Sequence, residues 1–220
     1  MPNQTCTQLL KVAHARVLRL TSAGILEIGA DARYEHAAPI AVGFTEQRAE
    51  REDFEQRDGN GDVCGAYQGP PGAVDSVELA VDLCAYDAEL IEMLAGGTVI
   101  TDGSYGTIGY LAATDADKNV NGVALETWSI AWNGRQRALR NGQPAWYRHV
   151  FPKTTWQVGE VTMNSEGFST IPLIGVGEVN SGFGTGLVAD PWPVSVADHA
   201  WGWHLDDAKP TGVCGYQTTA

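Results

Sequence analysis

The sequence predicts a mainly β protein: a β-sandwich or partly closed barrel with one short α-helix packed on it. Three observations lead there. Turn signals recur at Asp58-Gly59-Asn60-Gly61, Gly69-Pro70-Pro71-Gly72, Asp102-Gly103, Asn121-Gly122, Asn133-Gly134 and Asn141-Gly142. They cut the chain into short segments, as in sandwiches and barrels. Within several segments apolar and polar residues alternate with a period of two. Helical spacing with caps is clear only in Asp87–Ala95.

Taken in order, Gln8–Leu20 comes first and reads equally as helix or strand. Val74–Leu83 is the clearest strand. Val77, Leu79, Val81 and Leu83 fall on one face, and Ser76, Glu78, Ala80 and Asp82 on the other, the pattern of a half-buried strand. Asp87 then supplies an N-cap carboxylate. Leu90, Ile91 and Leu94 share a helical face, and Gly96 suits a left-handed C′ position. So short a helix cannot stand alone and must pack on a sheet. In Gly122–Trp132, the residues Ala124, Glu126, Trp128, Ile130 and Trp132 share one largely aromatic face. Tyr147–Phe151, Thr155–Met163, Phe168–Val179 and His199–Leu205 read as further strands.

Two charged segments stand out. Glu46–Asp62 carries seven acidic residues and three arginines, with Phe54 its one large apolar side chain. It is too polar for a core strand. It reads as a solvated loop or as a long hairpin loop reserved for a partner. Arg135, Arg137 and Arg140 lie in a turn between two strands. They make a local basic patch, either solvated or a partner for the acidic loop of another copy.

The 220 residues carry a net charge of −13, which disfavours nucleic-acid binding. No apolar run approaches a membrane span, and Met1-Pro2-Asn3-Gln4-Thr5 lacks the features of a signal peptide. Synthesis in a cytoplasm without a membrane anchor is the expectation. Cys6, Cys64, Cys84 and Cys214 are far apart and read as structural thiols.

No nucleophile elbow or phosphate-binding loop is present. Gly175-Val176-Gly177 and Gly182-Phe183-Gly184-Thr185-Gly186 read as bends. Asp115, Asp117, Asn119 and Asn121, followed by Glu126, imitate calcium-loop spacing, but Val120 stands where that loop needs glycine. A polar turn is the better reading. The five histidines are scattered. Catalytic residues, metals and cofactors are not expected. Trp192, Trp201 and Trp203 either line a sugar site or pack in the core.

Six stretches occur in a telling order: FEQRDGNGDVCGAY, DAELIEMLAGG, ALETWSIAW, AWYRHVFPKTTWQVG, GFSTIPLIGVGEVNSGFGTG and DHAWGWHLDDAKPTGVCGYQ. As an ordered set they resemble the major tail protein, or tail tube protein, of long-tailed, non-contractile phages of actinobacterial hosts. The resemblance covers Glu46 to Gln217; residues 1–45 match poorly. Ala88 stands where the family often has proline, and Ala95-Gly96-Gly97 replaces a Thr-Gly pair.

The resemblance implies a single domain of the tail tube type over residues 1–220. It implies a structural virion protein, in hexameric rings stacked into a tube through which DNA passes without specific binding. The implied partners are further copies of the chain, the tape measure protein, and the tail terminator and distal tail proteins. Residues 46–62 become an inter-subunit loop, with contacts at Arg48, Glu50, Arg51, Glu52, Asp53 and Phe54, and at Arg135, Arg137 and Arg140. Glu78 and Asp82 are expected to face the lumen. The rival readings are a carbohydrate-binding β-sandwich module, suggested by seven tryptophans, and a small β-rich hydrolase.

Overall fold

The computed structural model describes residues 7–36, 41–49, 53–57, 60, 63–68, 72–83, 86–133, 135–161, 171–211 and 214–217. The chain begins with β1 (Thr7–Arg19), β2 (Arg33–His36), β3 (Ala41–Arg48), β4 (Asp53–Arg57), β5 (Val63–Gln68) and β6 (Val74–Leu83). Helix α1 (Ala88–Ala95) follows, then β7 (Thr98–Asp102), β8 (Gly106–Leu111) and β9 (Val123–Asn133). Three two-residue strands, β10 (Gln136–Arg137), β11 (Leu139–Arg140) and β12 (Gln143–Pro144), lead into β13 (Trp146–Val158). The chain closes with β14 (Ile171–Glu178), β15 (Gly202–Asp206) and β16 (Gly215–Gln217).

The main sheet runs β16-β2-β1-β9-β13-β14-β6-β3, with β10 beside β9 and β15 beside β13. Every pairing in it is antiparallel. Its described path is open at β16 and β3, and the architecture is a sandwich-like, mainly β fold rather than a closed barrel. The ambiguous Gln8–Leu20 lies in strand β1. Its faces are both buried, with Ala15 and Val17 on one side and His14, Arg16 and Leu18 on the other. That double burial erases the alternation that marks a strand.

Strand β13 joins the two halves of the sheet. Its first residues pair with β9 and β15, and its last pair with β14. The register against β9 slips between Phe151 and Thr154, around Pro152, which has no N–H to give. Tyr147–Phe151 and the start of Thr155–Met163, read as two strands, therefore share one long strand that ends at Val158; residues 162 and 163 lie outside the described residues.

The main core lies on one face of this bent sheet. Val77, Leu79, Val81 and Leu83 of β6 meet Leu125, Phe151, Leu173 and the helix residues Leu90, Ile91 and Leu94. On the outer face of the β1–β9–β13 half, a strap of residues 180–200 lies across the strands. Its Phe183, Leu187, Trp192 and Val196 pack on Leu18, Leu20, Ala124 and Val150.

Polar clasps hold α1 on the sheet. The Asp87 carboxylate accepts from Leu90 N at 3.0 Å and from the Tyr34 hydroxyl at 2.7 Å, and it lies 3.0 Å from His36 Nδ1. Burial pushes this carboxyl up, but the hydrogen bonds from His36 and Tyr34 outweigh it and hold its pKa below the usual value. At the far end Glu92 accepts from the Tyr216 hydroxyl at 2.5 Å, tying β16 to the helix. Gly96 has φ +86° but ψ −162°, so it is not in the left-handed helical conformation expected. A Cβ there would lie 2.4 Å from Asp117 O, and only glycine fits.

The false calcium motif is a turn. Asp117 accepts from the Thr114 amide at 2.5 Å, and Asn119 Oδ1 from Gly122 N at 3.1 Å.

Candidate assembly surfaces and a buried ionic ring

The described residues of the acidic segment are largely strand. Glu46 and Arg48 belong to β3, where Glu46 pairs with Val77 and Arg48 with Val74. Beyond them Ala49 N donates to Ala73 O at 3.0 Å. The pairing resumes from Asp53↔Gln68 to Arg57↔Val63. Between β3 and β6 the chain thus forms a separate two-stranded arm, β4–β5, about 17 Å long. Among the described elements, the arm's only extensive contacts are between its own strands. Asp53 and Phe54 sit on β4; Glu50, Arg51 and Glu52 lie outside the described residues.

Glu78 and Asp82 are exposed, on the face of β6 turned away from the core. Glu78 is flanked by Thr45 and Val176, and Asp82 by Ala41 and Pro172. Between them Ala80 is flanked by Gly43 and Ile174. Ala41, Gly43 and Ala80 are small, while Ile174 and Val176 of β14 stand exposed beside the two carboxylates. Lys153, beside it on β13, is paired with Glu178 at 3.0 Å.

The three arginines divide. Arg135 and Arg140 are exposed. Arg137 is partly buried, with its guanidinium carbon 4.5 Å from the centre of the Trp146 ring, a cation–π arrangement. Lys209 approaches the same ring at 5.8 Å. Arg137 is therefore largely committed within its own subunit.

A second polar constellation is buried, and the sequence reading passed over it. Arg16, Glu126, Arg148 and Asp190 close into a ring of alternating charge. Arg16 Nη1 donates to Glu126 Oε2 at 3.0 Å and to Asp190 Oδ2 at 2.8 Å. Arg148 donates through Nη2 to Glu126 Oε1 at 2.8 Å and through Nη1 to Asp190 Oδ1 at 2.9 Å. Trp192 Nε1 adds a third donor to Glu126 at 2.8 Å. Outside the ring, Glu35 takes Arg16 Nε at 2.8 Å and also meets His14 Nε2. Both arginines lie over Trp128, with guanidinium carbons 4.9 and 5.1 Å from its ring centre.

Glu126 is fully buried and Arg148 is 1% exposed. Such charges persist only when paired. Burial lowers the pKa of Arg16, but Glu126 and Glu35 outweigh it and raise the balance. Burial raises Glu35, but the His14 hydrogen bond and the Arg16 charge hold it below the usual carboxylate range. Asp190 is shifted down in the same way, by Arg16 and Arg148 against burial. Asp190 and Trp192 belong to the strap, so the ring bolts the strap to the sheet. Its donors and acceptors face one another, with Asp190, 40% exposed, at the solvent edge of the ring.

An aromatic row lies on the core side of β13. Trp203 meets Tyr147 at 5.1 Å, and Phe44 meets Trp201 at 4.7 Å and Phe151 at 5.6 Å between ring centres. His149 lies between Tyr147 and Phe44 and is 7% exposed. Burial pulls its pKa down to about 4. A histidine depressed from about 6.5 binds its proton more weakly folded than unfolded. Its neutral form therefore supports the fold fully above about pH 6.5, and that support drains away as pH falls towards 4. The wild type is expected to lose about 3 kcal/mol across this window from His149. Denaturant unfolding at stepped pH checks it. His149→Phe should flatten that part of the curve, and an unchanged slope in the variant would refute the assignment. Asp87, Glu35 and Asp190, all shifted down, add acid sensitivity only below about pH 4.

Compared with known proteins, the chain matches no family model and none of the curated proteins. Among the described residues no helix is long and apolar enough to cross a membrane. What the sequence could have offered for the ring was a mismatch of type and place. Glu126 sits on the apolar face of β9, and Arg16 and Arg148 sit within strongly apolar strands. A charge on a core face calls for an internal counter-charge.

Proposed function

We propose that this chain is a structural subunit that polymerises as stacked rings into a phage tail tube. The observation that carries the reading is the arm. The hairpin β4–β5 pairs with itself and, among the described elements, makes no extensive contact with the rest of its subunit. That is the form of an element built to touch another copy. The ordered resemblance of the six sequence stretches supports the same reading. In it, the chain's partners are its own copies, the tape measure protein, and the tail terminator and distal tail proteins, and its place is the virion tail.

The exposed face of β3, β6 and β14, which carries Glu78 and Asp82, is the proposed lumen wall. DNA in transit must not adhere to it. Glu78 and Asp82 would repel phosphates within about 8–10 Å at physiological salt. Head-to-tail contacts between copies are heterologous and close into rings or stack without end.

The test is negative-stain microscopy of the purified protein over a concentration and salt series. Rings or tubes about 80–100 Å wide are expected, the size of a few small β domains set around a pore. Monomer alone at high concentration, with tail assembly partners also supplied, would sink the reading. In assembled phage, Glu78→Lys with Asp82→Lys should slow DNA ejection, and added salt should relieve the delay.

A further inference from the structure

The strap and the β15 edge enclose a groove that tube assembly does not explain. Its volume is about 660 Å³, and its lining includes Trp192, Trp201, Trp203, Asp198 and His199. The three tryptophans read from sequence as sugar site or core are thus brought together. They do different things there. Trp192 is buried, and its indole N–H is spent on Glu126. Trp201 is partly buried, and its N–H is spent on Glu46 Oε1 at 3.0 Å. These two form fixed walls. Trp203 is 52% exposed, and its indole N–H has no hydrogen bond within the described residues. Tyr147 meets it edge-on, with ring planes at 71°, and holds it in place.

Of the polar side chains at the groove, Ser195 and His204 Nδ1 are engaged within the chain, while two others are free among the described residues. Asp198 and His199 are exposed, and neither side chain has a hydrogen-bond partner among the described residues. His204, also in the lining, leaves Nε2 buried without one. The geometry points to a neutral oligosaccharide as the ligand. A pyranose presents an apolar C–H face and a rim of hydroxyls. The first matches a braced, half-exposed indole, and the second matches an acceptor carboxylate and an imidazole. An anionic ligand would meet Asp198 on a chain of net charge −13. A purely aliphatic one would leave these polar groups without partners.

This inference stands apart from the tube reading, because it concerns the unassembled 220-residue chain. The experiment follows the Trp203 indole N–H by two-dimensional NMR, assigned with Trp203→Phe. The probes are cellotriose, maltotriose and chitotriose. At least one is expected to shift the resonance saturably, with a dissociation constant of about 1 mM. Trp203→Ala, which lacks the reporter and is therefore followed by titration calorimetry, should weaken binding at least tenfold without changing the thermal transition, and Asp198→Asn should weaken it several-fold. Three results would overturn the proposal. One is no shift with any probe at about twenty times that concentration. Another is undiminished binding in Trp203→Ala. The third is a resonance that responds only to protein concentration, which would make the groove a contact between copies. Microscopy of tubes reads the other proposal separately.

Discussion

Arg148→Met is expected to destabilise the fold by about 3–5 kcal/mol, because it strands a buried carboxylate. Glu126 has no exposure and takes Arg148 on one oxygen and Arg16 on the other. Removing Arg148 leaves Glu126 one cation and leaves Asp190 hydrogen-bonded to Arg16 alone. Methionine fills much of the volume, so the loss reports charge rather than a cavity. Guanidinium unfolding of both proteins measures it. A second variant separates the charge from the packing. Arg148→Met with Glu126→Gln removes the stranded charge and should recover a large part of the loss, since a buried ion pair contributes little net stability over a neutral replacement. Equal losses in the single and double variants would show that the ring's electrostatics are unimportant. The strap should respond as well. With Asp190 and Trp192 held less firmly, protease should cut within residues 180–200 sooner than in the wild type.

How far the sequence led follows from the range of the forces involved. The alternation of β6 and the caps of α1 are local, and both appear in the structure as read, apart from the backbone of Gly96. The exposure of Glu78 and Asp82 followed from that alternation. The ring was illegible because its members are remote. Arg16 and Asp190 are 174 residues apart, and Arg16 and Glu126 are 110 apart. Nothing local identifies the strap that covers them: Phe183 and Leu187, like Trp192 and Val196, are four apart as on a helix, but Gly184, Gly186, Pro191 and Pro193 break any such element. The acidic segment misled in a different way. Its polarity rightly excluded a core strand, yet a strand outside the core needs no apolar face. Backbone pairing alone joins the two strands of the arm. Arg137 looked like its neighbours in sequence and was separated from them only by the ring of Trp146.

Excising the arm is expected to abolish assembly while leaving the subunit folded. The cut must take both strands. Removing residues 51–56 alone would delete most of β4 and leave β5 without a partner, an exposed edge prone to nonspecific pairing. Replacing residues 51–71 with an Asn-Gly turn avoids this. The chain ends are already together, because Ala49 N donates to Ala73 O and Arg48 pairs with Val74. A two-residue turn of that type suits such a hairpin. The β3–β6 ladder from Ala41↔Asp82 to Gln47↔Ser76 stays whole, so the thermal transition should move by only a few degrees, the scale of a change of about 1 kcal/mol. Sedimentation should then show monomer at concentrations where the intact chain forms rings or tubes. Tubes of unchanged length and width would show that the arm is a bystander. A finer experiment asks what the arm touches. Arg135→Glu with Arg140→Glu should weaken assembly if the basic hairpin receives the arm's carboxylates; Arg137 stays, because its guanidinium is stacked within the subunit. Reversal of Glu50, Glu52 and Asp53 to lysine in the same chain should restore it. Such rescue is the mark of direct pairing, since two independent defects would only add.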